Sequence, residues 1–262
     1  MAVQSKVNIG GSWKQVDSLK CNISGVWKAV VGAWTNIGGV WKSWFSKELS
    51  YYGTATDLSA ARGYLSATTV GDYALFGGGN SSNVVDAYDT SLTRSTPTAL
   101  SSARQSTSAT TVGDYALFGG GSLSTAVDAY NTSLTRSTPT ALSVGRTYFS
   151  ATTVGSYALF GGGALPSGYS NTVDAYDTSL TRSTPTVLSA ARQGLAATAV
   201  GTYALFGGGS AVVDAYDISL TRSIPTALSV SRTYLGATTV GSYALFGGGW
   251  VNISKVDVYQ YN

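Results

Sequence analysis

Seven residues, Tyr-Ala-Leu-Phe-Gly-Gly-Gly, are written five times along this chain: Tyr73 to Gly79, Tyr115 to Gly121, Tyr157 to Gly163, Tyr203 to Gly209 and Tyr243 to Gly249. Between their first glycines the spacings are 42, 42, 46 and 40 residues. A period of this size allows few folds, because each copy is one supersecondary unit that buries its apolar faces only against neighbouring copies. Inside the second copy, Thr- and Val-rich runs bounded by Gly, Asn and Ser predict four short strands, about Ser108 to Val112, Tyr115 to Phe118, Val127 to Tyr130 and Arg136 to Leu142. The second of these is apolar on both faces, which suits a sheet packed between two others.

Four strands repeated radially predict an all-β fold, a five-bladed β-propeller over residues 47–262. The last copy ends after Val256-Asp257-Val258-Tyr259 and lacks a fourth strand. Residues Leu49 to Leu58 are expected to supply it, since Asp57-Leu58-Ser59-Ala60-Ala61-Arg62 aligns with Ala99-Leu100-Ser101-Ser102-Ala103-Arg104. The N-terminal strand would then complete the last blade and close the ring.

Residues 1–46 carry a shorter repeat. Asn8-Ile9-Gly10-Gly11-Ser12-Trp13-Lys14 recurs 14 and 28 residues later as Asn22 to Lys28 and Asn36 to Lys42. Glycine between short alternating runs predicts small β-hairpins. Five of the six tryptophans, Trp13, Trp27, Trp34, Trp41 and Trp44, fall here, more aromatic area than so small a piece buries alone. Two readings stay open, a mini-core of stacked hairpins or a module that attaches to a partner or to sister chains.

Two resemblances follow from these residues. The Ile-Gly-Gly-Val-Trp-Lys unit resembles the Gly-Gly-x-Trp-Lys hairpins of tailed-bacteriophage virion proteins. The longer copies resemble the kelch family: an Arg before the inner strand, a Tyr-x-Leu-Phe-Gly-Gly strand, and Tyr-Asp after the third strand at Tyr88-Asp89, Tyr176-Asp177 and Tyr216-Asp217. Two departures stand out: Thr-Arg-Ser replaces the family's outer-strand tryptophan near Arg94 and Ser95, and a third glycine follows the pair.

Composition narrows the function. Charged residues are 11% of the chain and the net charge is +3; five lysines against one aspartate give residues 1–46 a local +4 and leave the remainder at −1. No dense basic face points to nucleic acid. Histidine is absent and Cys21 is the one cysteine, which leaves no disulfide framework, no Cys-based zinc site and no histidine base. No apolar run reaches the length of a membrane span, and the start leads into no signal-peptide core. The expectation is a non-enzymatic protein without cofactor or metal, made in the host cytoplasm without export signal and assembled into a virion.

Its candidate ligand contacts lie where the second-to-third and fourth-to-first connections emerge together. The second-to-third stretch varies most between copies, through Asn80 to Asn83, Ser122 to Thr125, Ala164 to Thr172, Ser210 and Ala211, and Trp250 to Lys255. Tyr64, Tyr148, Tyr234, Tyr169 and Trp250 fall at that end and suit a host-surface glycan or another receptor. The kelch resemblance implies that Arg62, Arg104, Arg146, Arg192 and Arg232 hold an anionic ligand there. The alternative is that each pairs with the repeated Asp86, Asp128, Asp174, Asp214 or Asp257. An intracellular scaffold for an acidic segment and a purely structural capsid or tail decoration remain the other readings. Tyr88, Tyr130, Tyr176, Tyr216 and Tyr259 are expected in the core.

Overall fold

In the computed structural model the chain forms two units, Met1–Gly53 and Thr54–Asn262. The structure describes residues 6–9, 12–15, 20–23, 26–29, 34–37, 40–43, 51, 53–250 and 253–261. The first unit holds three antiparallel pairs: Lys6–Ile9 with Ser12–Gln15, Lys20–Ile23 with Val26–Ala29, and Trp34–Ile37 with Val40–Ser43. They share one register, with Ile9 opposite Ser12, Ile23 opposite Val26 and Ile37 opposite Val40. These are the hairpins that the glycine spacing predicts. The side chains of Trp13, Trp27, Trp34 and Trp41, and the whole of Trp44, lie outside the described residues.

The second unit is five antiparallel sheets in chain order. The first is Ser66–Val70, Tyr73–Gly77, Val85–Tyr88 and Arg94–Ser95; the second Ser108–Val112, Tyr115–Gly119, Val127–Asn131 and Arg136–Ser137. The third is Ser150–Val154, Tyr157–Gly161, Val173–Tyr176 and Arg182–Ser183; the fourth Leu195–Val200, Tyr203–Gly208, Val213–Asp217 and Arg222–Ser223. The fifth, Gly236–Val240, Tyr243–Gly247 and Val256–Gln260, has three strands among the described residues. The outer strand is shorter than its Thr-rich sequence predicts, two residues instead of seven. Pro139 stands two residues beyond Ser137, and Pro97, Pro185 and Pro225 repeat it; proline has no N–H to continue the ladder.

Among the described residues the core lies between sheets, in four separate slabs. Leu117, Val127 and Ala129 of the second sheet, for example, pack on Ala158, Phe160 and Tyr176 of the third, with Val112, Leu142 and Phe149 closing the slab. The first glycine of each triplet makes the approach possible. A Cβ on Gly77, Gly119, Gly161 or Gly207 would stand 2.7, 2.9, 2.9 or 2.8 Å from the ring of Phe118, Phe160, Phe206 or Phe246 on the following sheet. Each phenylalanine is also held edge-on by its own sheet's tyrosine, as in Phe118–Tyr130 and Phe160–Tyr176 at 6.0 and 5.8 Å. The inner strands are joined sideways by hydroxyls: Thr68 to Thr111, Thr110 to Thr153 and Thr198 to Thr239, each at 2.8 Å.

The segment expected to complete the last blade does not extend the fifth sheet where it is described. Leu49, Ser50 and Tyr52 lie outside the described residues, and residues 53–58 form no strand. They run instead against the first sheet: the Thr56 carbonyl accepts from the Tyr88 hydroxyl and the Ser59 N–H donates to Asp86. Thr98 and Ser101 do the same on the second sheet, with Tyr130 and Asp128.

Gly161→Ala is expected to destabilise the second unit by about 1–3 kcal/mol, because the added methyl overpacks the Phe206 ring. Denaturant unfolding reads the loss. Gly236→Ala, which meets only the Gly247 carbonyl at 3.9 Å, is expected to leave the midpoint unchanged.

Candidate functional site

Strand registers decide which connections share an end. Val112 opposes Tyr115 and Tyr115 opposes Asn131 at one end of the second sheet, while Ser108 opposes Gly119 and Gly119 opposes Val127 at the other. The variable second-to-third stretches and the segments that arrive from the preceding sheet therefore emerge together. The exposed Asp72 and Asp114 and the half-buried Asp89, Asp177 and Asp217 belong to the opposite end, in the first-to-second and third-to-fourth turns.

The five arginines expected at the ligand-facing end are turned inward. Arg62–Asp86, Arg146–Asp174 and Arg192–Asp214 pair at 2.7 Å, Arg104 pairs with Asp128 and Arg232 with Asp257, with the arginine side chains no more than 2% exposed. This is the pairing alternative, with one difference from a staple between blades. Each arginine lies on the arriving segment and binds inside the sheet that segment enters, reaching the carbonyl of Phe160 from Arg146 and of Phe206 from Arg192 at 2.9 and 3.0 Å. The aspartate takes a second arginine from the outer strand, Arg94, Arg136 and Arg182 at 3.2, 3.2 and 3.1 Å, and Arg222 at 3.7 Å. The outer-strand arginine thus closes this corner of each of the first four sheets with charge.

Removing one member of a buried set like this costs about 3–5 kcal/mol, because the partner charge is left in a dry site. Burial presses the guanidinium groups of Arg104, Arg146 and Arg192 below their ordinary pKa, and the facing aspartates pull them back up. For Asp86 burial alone raises the carboxyl, yet hydrogen bonds from Ser59 and the Arg62 charge hold it below the ordinary value.

The aromatic residues behave differently. Two positions after each inward arginine the backbone is left-handed: Tyr64 φ 57, Ser106 φ 53, Tyr148 φ 53, Gly194 φ 63 and Tyr234 φ 53. They are linked sheet to sheet in two groups: Ser106 N–H to Tyr64 carbonyl at 2.9 Å, and Gly194 N–H to Tyr148 carbonyl with Tyr234 N–H to Gly194 carbonyl at 3.0 and 2.7 Å. The hydrogen bonds demand the conformation, which costs a bulky side chain about 1–2 kcal/mol and glycine almost nothing. The three tyrosines nonetheless stand 67%, 40% and 49% exposed.

Across Gly194, which has no side chain to intervene, Tyr148 and Tyr234 meet edge-to-face at 6.0 Å and 86°. Tyr234 also touches Trp250, 70% exposed, at 5.9 Å and 60°. Phe149, Leu195 and Leu235 complete the lining of a cleft of about 310 Å³ beside this trio. Tyr64, on the first sheet, and Tyr169, exposed in the long loop of the third, stand outside it. Sequence reasoning picked out the two tyrosines and Trp250 but missed Gly194, whose one visible signal is a glycine where other copies carry tyrosine or serine.

Of the five third-strand tyrosines expected in the core, Tyr130, Tyr176 and Tyr216 are buried there, while Tyr88 and Tyr259, on the first and last sheets, are half-buried. The hydroxyls of Tyr130, Tyr176, Tyr216 and Tyr259 donate to the carbonyls of Thr98, Thr140, Thr186 and Thr226, tying each sheet to the segment arriving from the one before. Burial, with Asp128, Asp174 and Asp214 adding to it, pushes the first three well above the ordinary tyrosine pKa. Burial first and Asp257 second push Tyr259 up to about 12.

No protein-family model matches the chain, and no curated protein is found similar to it. Among solved structures, that of YjhT is similar in fold, with a TM-score of 0.58 at 13% identity over 74% of this chain and 75% of that one. The likeness supports a propeller-type repeat of four-stranded antiparallel sheets.

The raised tyrosines set an alkaline limit. An unfolded tyrosine loses its proton near pH 10 while these keep theirs, so the stability they contribute is present below about pH 10 and drains away above it. Thermal midpoints are expected to hold from neutral pH to about 9 and fall steeply from about 10 to 12, with a cooperative late step in tyrosinate absorbance.

Proposed function

We propose that the second unit closes into a five-bladed ring and that the protein is a non-enzymatic binding module. The end carrying the variable connections would hold a neutral host-surface glycan. The Trp/Lys hairpins of residues 1–46 would attach the protein to a tailed-phage or phage-like particle, or to sister chains. One observation carries the glycan reading: the repeated arginines are spent inside the sheets, while Tyr64, Tyr148, Tyr169, Tyr234 and Trp250 are exposed at the end where the copies differ. An acidic protein segment would find none of the five guanidinium groups free. The particle assignment rests on the resemblance of the hairpin repeats.

Closure is supported by what the two ends of the array leave bare. A Cβ on Gly247 would meet only Val256 of its own sheet, at 3.5 Å, whereas its four counterparts each receive a phenylalanine. Phe76 is the phenylalanine without a glycine beneath it, and it is less buried than Phe118, Phe160, Phe206 and Phe246. Gly241 meets nothing within 4 Å, whereas Gly71, Gly113 and Gly155 receive Thr132, Thr178 and Ile218; Thr90 is the residue that would fill it. Val240 is 62% exposed where Val112 and Val154 are buried. Five sheets joined by one kind of junction have a fifth junction to make.

Two measurements test these readings. If the ring closes, Gly247→Ala destabilises as much as Gly161→Ala; an unchanged unfolding midpoint for Gly247→Ala means an open array. For ligand class, the full chain is applied to a glycan array and to acidic peptides. Retention on uncharged, hydroxyl-rich glycans is expected, and binding to the peptides alone, or to neither, overturns the glycan reading.

A further inference from the structure

Resting on the glycan reading above, we propose that Tyr148, Gly194, Tyr234 and Trp250 form a stacking subsite for one uncharged pyranose ring. The backbone conformation two residues after each arginine is imposed by hydrogen bonds between neighbouring sheets, and Gly194 demonstrates that the fold accepts glycine there. Tyrosine at Tyr148 and Tyr234 is therefore not demanded by the fold. It is unfavourable in left-handed backbone, and at 40% and 49% exposure it gains limited burial in return. Strained backbone of this kind clusters at ligand clamps, and here two such tyrosines face solvent in contact with one another.

The geometry points to the ligand's chemistry. Two tyrosines meeting at 86° and a tryptophan tilted 60° to the second offer apolar ring faces at several angles, with the Tyr hydroxyls and the indole N–H as polar tips. The cleft of about 310 Å³ beside them lies at the small end of ligand pockets. Its lining of Tyr148, Phe149, Gly194, Leu195, Tyr234 and Leu235 has no charge. Arg146, Arg192 and Arg232, the nearest repeated cations in sequence, are tied to Asp174, Asp214 and Asp257. An anion finds no free guanidinium, and a cation finds no carboxylate in the lining. A pyranose has an apolar face of C–H groups to lie on an aromatic ring and an equator of hydroxyls for the polar tips, so it matches on both counts.

The test compares the full chain with its Tyr148→Gly, Tyr234→Gly, Tyr234→Phe and Trp250→Ala forms, using the glycan retained on the array and a panel of uncharged methyl pyranosides. Choline and a carboxylate-bearing pyranoside serve as the charged probes. Tyr234→Gly relieves backbone strain, so its melting temperature is expected to hold or rise while its affinity for the neutral glycan falls tenfold or more. Tyr234→Phe, which keeps the ring, is expected to retain binding within severalfold. Unchanged affinity in the two glycine variants and Trp250→Ala overturns the subsite while leaving the glycan reading intact; absence of any glycan binding by the unmodified chain removes both. Preference for choline or for the carboxylate-bearing sugar overturns the assignment to a neutral ring. If Tyr234→Gly melts lower than the unmodified chain, the strain argument fails and the proposal with it.

Discussion

The aspartate in the middle of each third strand is the point on which a copy is assembled. Asp174 accepts from the Ser143 N–H and the Arg146 guanidinium on the arriving segment, and from Arg182 on the outer strand. The arriving segment, which forms no ladder with the third and outer strands, is thereby held to both of them at one carboxylate. The arrangement stands because charge is met by charge in a dry place, where an unmatched member would be costly. Asp257 keeps the first two kinds of contact but has no outer-strand arginine among the described residues, and it is also the least buried of the five. The fourth strand and the second arginine come together.

With ions committed to the interior and phenylalanine rings set into glycine notches between sheets, the scaffold needs little from its loops. That division lets one end of the array vary. The second-to-third connection ranges from four residues, 209–212, to eleven, 162–172, without disturbing the strands it joins. The aromatic side chains at this end depend on the scaffold for position: the left-handed backbone beneath Tyr148 and Tyr234 exists because neighbouring sheets bond through it. On the proposed reading, ligand contact and stability thus fall to different residues.

Much of this was legible in the amino-acid order. The glycine period gave the number of sheets, the Thr- and Val-rich runs bounded by Gly, Asn and Ser gave the strands, and the repeated Arg and Asp offered their pairing as one of two readings. Where reading failed, a physical reason is at hand. Ser137 to Leu142 has strand-forming residues, but Pro139 removes the donor that would continue the ladder, and propensity yields to that local veto. The inward turn of the arginines depends on a partner 22 to 28 residues away, a separation that spacing alone does not choose between competing roles. Gly194 was invisible as a site residue because its importance lies in what it omits, and a tyrosine in left-handed backbone carries no sequence mark.

The notch-and-ring junction has a further consequence. The phenylalanine-in-glycine contact repeats at four junctions among the described residues and the threonine rung at three of them, so the notch itself does not encode which two sheets it joins. Duplication or loss of one whole copy by recombination would leave each remaining contact chemically the same. The number of sheets in such a chain is therefore open to change in a single genetic event, and it can drift while the joints stay as they are.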